Sequence, residues 1–321
     1  MFTREEFELA RDAVDAAMGP TLASRWPLLE EAVGTEVWVK HENHTPVGAF
    51  KVRGGLNYLA RLKEDGPLPA GLISATRGNH GQSIPFAAAR YGLPVTIVVP
   101  RGNSAEKNAA MAALGAELIE HGDDFDAAKA HAMALAEERN LHMVPAYHPW
   151  LVAGVATYAH ELFDVAGELD AVYAPIGMGS GVSGLITMRD MLGLKTQIIG
   201  VVAAGADAYL RSFAAGRPVS AAARTFADGM AVGEPHTQAV AHINAGAERI
   251  IAVDDGKIAQ AARLIYTATH NVAEGAGAAA LAALMKEREA MAGKRCAVIL
   301  SGGNIDADKF AAILQGDTPA P

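Results

Sequence analysis

The sequence predicts an α/β protein built on parallel sheets with helices over both faces. Two observations carry this. Short apolar, β-branched runs recur along the 321 residues, and between them lie longer stretches whose Ala and Leu side chains share a broad face at helical spacing. Strand and helix alternating in this way is the pattern of parallel sheets covered on both sides. Gly71 to Ser74 reads as a strand, followed by a helix over Asn79 to Tyr91. The strand Val95 to Pro100 leads to the helix Ala105 to Leu114, and Ala116 to Ile119 to the helix Phe125 to Arg139. Leu151 to Val165 is helical, and strands follow at Ala171 to Ile176, Gln197 to Val202 and Arg249 to Val253. The helices Ile258 to Thr269 and Ala276 to Glu289 precede a last strand, Ala297 to Leu300.

Half the residues are hydrophobic and 20% are charged, which excludes a fibrous or disordered chain. At roughly 100 to 200 residues per domain, the length fits two domains sharing one cleft. No repeat or low-complexity linker separates two halves, because Pro and Gly cluster at strand ends. The best breakpoints are Pro67 to Pro69 and the PAYHP run at 145 to 149. They predict a small domain, 67–145, inserted in a large domain made of 1–66 and 146–321. The net charge of −9, without a Lys/Arg block, excludes a nucleic-acid or anionic-membrane partner and points to a small molecule. An acidic start and the lack of any apolar run of about 18 residues predict a cytoplasmic protein. The only cysteine, Cys296, lies at the edge of an apolar run, so it is expected to be a buried thiol and not half of a disulfide.

Four stretches carry chemistry. In HENHTPVGAFKVRGG, residues 41 to 55, Lys51 follows an aromatic and is framed by Gly48, Gly54 and Gly55, which let a planar group approach the backbone. Apolar neighbours would lower the pKa of its amine and free it for a Schiff base; a surface lysine in a loop is the alternative. In ATRGNHGQSIPFAAARYG, 75 to 92, a strand opens into a polar, glycine-rich helix start. Its N–H groups suit a carboxylate, although Asn79 and His80 would serve equally as helix caps.

In APIGMGSGVSGLITMRDML, 174 to 192, glycines at 177, 179, 181 and 184 stand between a strand and a helix, a phosphate cradle. Gly179, Gly181 and Gly184 also match the G-x-G-x-x-G of nicotinamide-dependent oxidoreductases. The following strand, however, ends Gly200-Val201-Val202-Ala203-Ala204 without the acidic residue that holds a ribose, which favours a cofactor with one phosphate. Finally CAVILSGGNID, 296 to 306, places Ser301 at the carboxyl edge of a sheet, where ligands of open α/β sheets bind.

In this order the four stretches resemble the serine/threonine dehydratase family of pyridoxal-phosphate enzymes, with the tryptophan-synthase-β-like fold type II, from about Glu36 to Asp306. TFADGMAV at 225 to 232 and NVAEGAGAAALAAL at 271 to 284 are similar to that family's runs beside the cofactor. The resemblance implies pyridoxal 5'-phosphate bound to Lys51 through a Schiff base, with Phe50 packed beside it and Asn79 bonded to the ring oxygen. It implies that Gly177, Met178, Gly179, Ser180 and Gly181 hold the phosphate, that Ser301 meets the pyridine nitrogen, and that Thr76, Arg77, Gly78, Asn79 and His80 bind substrate. It further implies a homodimer that eliminates water from a β-hydroxy α-amino acid, releasing a 2-oxo acid and ammonia, with Lys51 as the base at Cα.

Several positions depart from the family pattern. Arg77 stands where racemising relatives place a serine, and a guanidinium cannot exchange a proton, so racemisation is not expected. Val202 and Ala208 stand where metal-activated relatives place carboxylates, so no metal is expected. Ala146 and the run Gly154-Val155-Ala156-Thr157 are read as a shortened pocket wall, which admits a β-arylserine such as phenylserine beside threonine or serine. The alternatives are 3-hydroxyaspartate as substrate, another β-eliminating or β-replacing enzyme of the same fold, and the oxidoreductase. No regulatory domain, and hence no feedback by isoleucine, is expected after the last strand.

Overall fold

The computed structural model describes all 321 residues. Its ten strands are β1 (Ala23–Arg25), β2 (Glu36–His41), β3 (Leu72–Ala75), β4 (Val95–Val99), β5 (Glu117–Glu120), β6 (His142–Met143), β7 (Ala171–Pro175), β8 (Gln197–Ala203), β9 (Arg249–Val253) and β10 (Arg295–Leu300). The helices are α1 (Arg4–Asp15), α2 (Pro27–Val33), α3 (Lys51–Asp65), α4 (Asn79–Ala88), α5 (Ala105–Ala113), α6 (Phe125–Glu138), α7 (Pro149–Ala166), α8 (Ser180–Met191), α9 (Ala208–Ala215), α10 (Thr237–Gly246), α11 (Asp255–Thr269), α12 (Gly275–Lys286) and α13 (Ala307–Gln315).

The strands form two sheets, as the fold class required. The larger is ordered β1-β2-β10-β7-β8-β9 and the smaller β5-β4-β3-β6. All strands of the smaller sheet lie between Leu72 and Met143 and run parallel. In the larger sheet β10 is central, with Val298 opposite Val39 on one side and Tyr173 on the other. Cys296 to Leu300 are all buried, which is why this strand reads as an unbroken apolar run. One pairing departs from the parallel expectation: β1 joins the edge strand antiparallel to β2.

The strand β2 and the helix α3 escaped the hydrophobic pattern because both bury charge. Lys40 on β2 is buried and donates to Glu161 at 2.5 Å and to the Thr21 carbonyl at 2.8 Å. Arg53 on α3 is fully buried and donates to Glu42 at 2.7 Å and Glu161 at 2.6 Å. Losing one partner of such a network leaves an uncompensated buried charge, which costs about 3 to 5 kcal/mol. The glycines of α3 have a purpose other than admitting a cofactor. A Cβ on Gly54 would stand 2.9 Å from the Leu151 carbonyl of α7, and one on Gly55 2.3 Å from the Ser83 hydroxyl of α4. They let three helices close on one another, and the expectation that they make room for a planar group is corrected.

Candidate active site

A cavity of about 790 Å³ opens between the two sheets, at the carboxyl ends of β3, β7 and β10. Lys51, the first residue of α3, faces into it and is positioned by the sheet. The Phe50 N–H donates to the Ser301 carbonyl at 3.0 Å, and Ala49 pairs with Gly302 just beyond the end of β10. The Lys51 amine lies 3.4 Å from the Ser180 hydroxyl, to which it donates, and 5.0 Å from the centre of the Phe50 ring. Burial lowers its pKa to about 8, and the charge of Glu274 opposes that shift only in part.

On one side of the amine the glycine-rich loop leads from β7 into α8. None of the N–H groups from Gly177 to Gly181 donates to a protein acceptor; the first bond of the turn runs from Ser183 to the Gly179 carbonyl. Gly179 sits at φ +97, and a Cβ there would come within 2.9 Å of the Ala239 side chain. From behind, the Tyr209 hydroxyl donates to the Met178 carbonyl at 2.8 Å and the Tyr158 hydroxyl to the Gly181 carbonyl at 2.9 Å. Free donors at a helix start, with the positive end of its dipole, suit an oxyanion such as a phosphate.

On the other side the turn after β3 leads into α4. The Gly78 N–H donates to the Thr76 hydroxyl at 3.1 Å, whereas those of Arg77, Asn79 and His80 have no protein acceptor. Asn79 is no helix cap: its amide donates to Glu274 at 2.7 Å and accepts from Asn304 at 2.8 Å. His80 is buried, its Nε2 has no partner, and burial with the nearby Lys51 lowers its pKa to about 3, so its ring is neutral. Arg77 lines the cavity and makes no hydrogen bond or ion pair within the chain. Ser301, nearly buried at 3% exposure, closes the floor at the end of β10.

Every residue that the resemblance assigned to cofactor or substrate therefore borders one cavity. The expected wall is only half present. Ala146 lines the cavity, but Gly154, Ala156 and Thr157 pack inside the protein: a Cβ on Gly154 would meet the Arg53 carbonyl at 2.2 Å, Ala156 packs on Gly184, and the Thr157 hydroxyl accepts from Arg53 at 2.9 Å. Other cavity residues were not singled out in the sequence. Lys107 of α5 pairs with Asp228 and lies 3.6 Å from Glu274, and burial raises the Glu274 pKa to about 7. The His236 ring packs against that of Tyr147, tilted by 31° with the centroids 4.7 Å apart. Glu274 and Asp228 fall inside the two runs noted beside the expected cofactor; nothing in the pattern marked Lys107 or His236.

The residues present fit pyridoxal 5'-phosphate: a depressed-pKa amine for its aldehyde, unsatisfied N–H groups for one phosphate, and a hydroxyl for the ring nitrogen. Comparison with known proteins agrees. The model of the family described as pyridoxal-phosphate dependent enzyme matches residues 14–302. The chain is 31% identical over 317 residues to an L-threonine ammonia-lyase of Thermotoga maritima, covering 98% of this chain and 79% of that one. It is also 31% identical to an L-threo-3-hydroxyaspartate ammonia-lyase of Saccharomyces cerevisiae, covering 94% and 92% of the two chains. The processed form of threonine deaminase isoform 2 from Solanum lycopersicum superposes with a TM-score of 0.89 at 28% identity, covering 98% of this chain and 94% of that one. The match over nearly the whole chain, together with a cleft that suits the cofactor, places this protein in the pyridoxal-phosphate dependent enzyme family.

Proposed function

We propose that this enzyme is a dehydratase of β-hydroxy α-amino acids, releasing a 2-oxo acid and ammonia after α,β-elimination of water. The observation that carries the reading is a buried amine of lowered pKa standing in one cavity between two sets of unsatisfied N–H groups. When bound, the cofactor supplies an electron sink that acidifies the substrate Cα proton. The N–H groups of Arg77, Asn79 and His80 hold the substrate carboxylate. They fix Cα near Lys51, whose amine takes the proton as a general base. The N–H groups from Gly177 to Gly181 would hold the phosphate, and Phe50 would pack beside the cofactor. Asn79 presents an N–H to the ring oxygen. Ser301 would face the ring nitrogen with a neutral hydroxyl, which cannot keep that nitrogen protonated and so would leave the ring a weaker electron sink.

Two substrate readings rest on separate observations. Ala146, Val232 and Pro235 line the outer cavity, and His236, packed against Tyr147, has a pKa lowered by burial. This uncharged part of a wall that also carries Lys129 and Glu234 suits threonine-like substrates and the phenyl group of a β-arylserine. The unpaired Arg77 guanidinium favours 3-hydroxyaspartate instead, through a bidentate contact. The relatives named for threonine and for 3-hydroxyaspartate make both worth assay. The reading includes a small domain, 67–145, that closes over a large domain of 1–66 and 146–321. It also includes a cytoplasmic homodimer, which sedimentation and cell fractionation check. The deciding test incubates the holoenzyme with threonine, serine, phenylserine and 3-hydroxyaspartate and measures 2-oxo acid and ammonia. Equal amounts of both products from at least one substrate are expected; no 2-oxo acid from any of them overturns the reading.

A further inference from the structure

Asn79 is the polar side chain expected to touch the cofactor ring, yet an amide can present either its oxygen or its nitrogen, and only the nitrogen donates. Two residues remove that ambiguity. Glu274 Oε1 accepts from Asn79 Nδ2 at 2.7 Å, and Asn304 Nδ2 donates to Asn79 Oδ1 at 2.8 Å. A flipped amide would set its NH₂ against the Asn304 NH₂ and its oxygen against the Glu274 oxygen. With Oδ1 committed to Asn304 and one hydrogen committed to Glu274, the second Nδ2 hydrogen is the one left for the cleft.

Both clamping residues are themselves held. The Asn304 amide also donates to the Val47 carbonyl at 2.9 Å. The Glu274 N–H donates to the Gly302 carbonyl at 3.1 Å, and a Cβ on Gly302 would stand 2.7 Å from Glu274 Oε1. Glu274 is 2% exposed, and its Oε2 has no hydrogen-bond partner, with Lys107 3.6 Å away. The ion pair with Lys107 meets the charge at Oε2, and Oε1 is left to fix the Asn79 amide.

We propose that Glu274 and Asn304 are positioning residues that lock the Asn79 amide with an N–H directed at the cofactor ring oxygen. The inference rests on the reading that this cleft takes pyridoxal 5'-phosphate with Asn79 beside its ring, and it adds that Glu274 and Asn304 reach the ring oxygen through Asn79, apart from the charge by which Glu274 acts on Lys51.

A double-mutant cycle tests this at a pH well above 8, where the Lys51 amine is neutral with or without the Glu274 charge; it is read as the dissociation constant of pyridoxal 5'-phosphate titrated into apoprotein and as the position of the absorption band of the loaded protein. Asn79→Ala, Glu274→Ala and Asn304→Ala are each expected to weaken cofactor binding roughly tenfold, the worth of one hydrogen bond. Each is also expected to shift the band in the same direction. Because the residues act through one amide, Glu274→Ala added to Asn79→Ala is expected to change the constant less than twofold. Glu274→Gln keeps an oxygen facing Asn79 and is expected to restore wild-type affinity and band position, which separates positioning from loss of fold. A further tenfold loss from Glu274→Ala in the Asn79→Ala background overturns the proposal, as does a Glu274→Ala protein with unchanged affinity and band. Failure of wild-type apoprotein to bind the cofactor would instead overturn the underlying reading of the cleft.

Discussion

With its amine buried beside the Phe50 ring and only Glu274 opposing the shift, Lys51 loses its proton near pH 8, well below an ordinary lysine. Only the neutral amine attacks an aldehyde. Attachment of the cofactor to apoprotein should therefore proceed at a constant rate above about pH 8 and slow about tenfold per unit below it, as followed by stopped-flow absorbance. A rate still climbing between pH 9 and 10 would show an unperturbed lysine. Arg77, unpaired in the cavity wall, gives a second residue-scale test. If it lies over an aryl ring, Arg77→Ala should lower kcat/KM for phenylserine about 3- to 30-fold, the range of a cation–π contact, and change that for threonine less than threefold. A strong preference for 3-hydroxyaspartate that vanishes in the variant would favour the dicarboxylate reading over the aryl one. Lys51, Asn79 and Ser301 were legible because each sits in a compact local motif. Glu274 and Asn304 lie inside noted runs, but their role was not legible, since their partner Asn79 lies 195 and 225 positions away in the chain and only the fold brings them together.

Among the elements, the strands most faithfully announced by sequence are the fully buried ones, such as β4 and β10, whose apolar runs leave no other reading. The helix α3 shows the opposite case. Its glycines at 54 and 55 lower helix propensity by roughly 1 kcal/mol each, and only close packing against α7 and α4 offsets that. Gly55→Ala drives a Cβ to 2.3 Å from the Ser83 hydroxyl and should destabilise the protein by about 1 to 3 kcal/mol, read as a lowered Tm. Gly66→Ala, with nothing within 4 Å, is the control and should leave Tm unchanged or slightly raised. In the loop before α8, Gly179→Ala combines a φ of +97 with a 2.9 Å contact, so it should weaken cofactor affinity as well as lower Tm. Wild-type affinity in that variant would contradict a phosphate cradle at this loop.

At the scale of the molecule, polar ties run from the start of α5 across to the larger sheet: Ser104 to Asp306, Lys107 to Asp228, and the Ala307 N–H to Glu106 at 2.9 Å. These contacts close the cleft around Lys51 and were invisible in the sequence, because α5 reads as an ordinary surface helix until its neighbours are known. The two-sheet architecture was legible, since it follows from the alternation of buried runs and amphipathic stretches. Val202 and Ala208 are buried, and neither side chain offers an oxygen ligand. Turnover should accordingly be unchanged by a chelator; a loss of more than a few-fold that magnesium or calcium restores would contradict this. The most direct test of the whole account is reduction of the holoprotein with borohydride followed by peptide mass mapping. The account predicts one phosphopyridoxyl group, on Lys51, absent from Lys51→Ala; a label on another lysine, or none on a protein that turns over substrate, would contradict it.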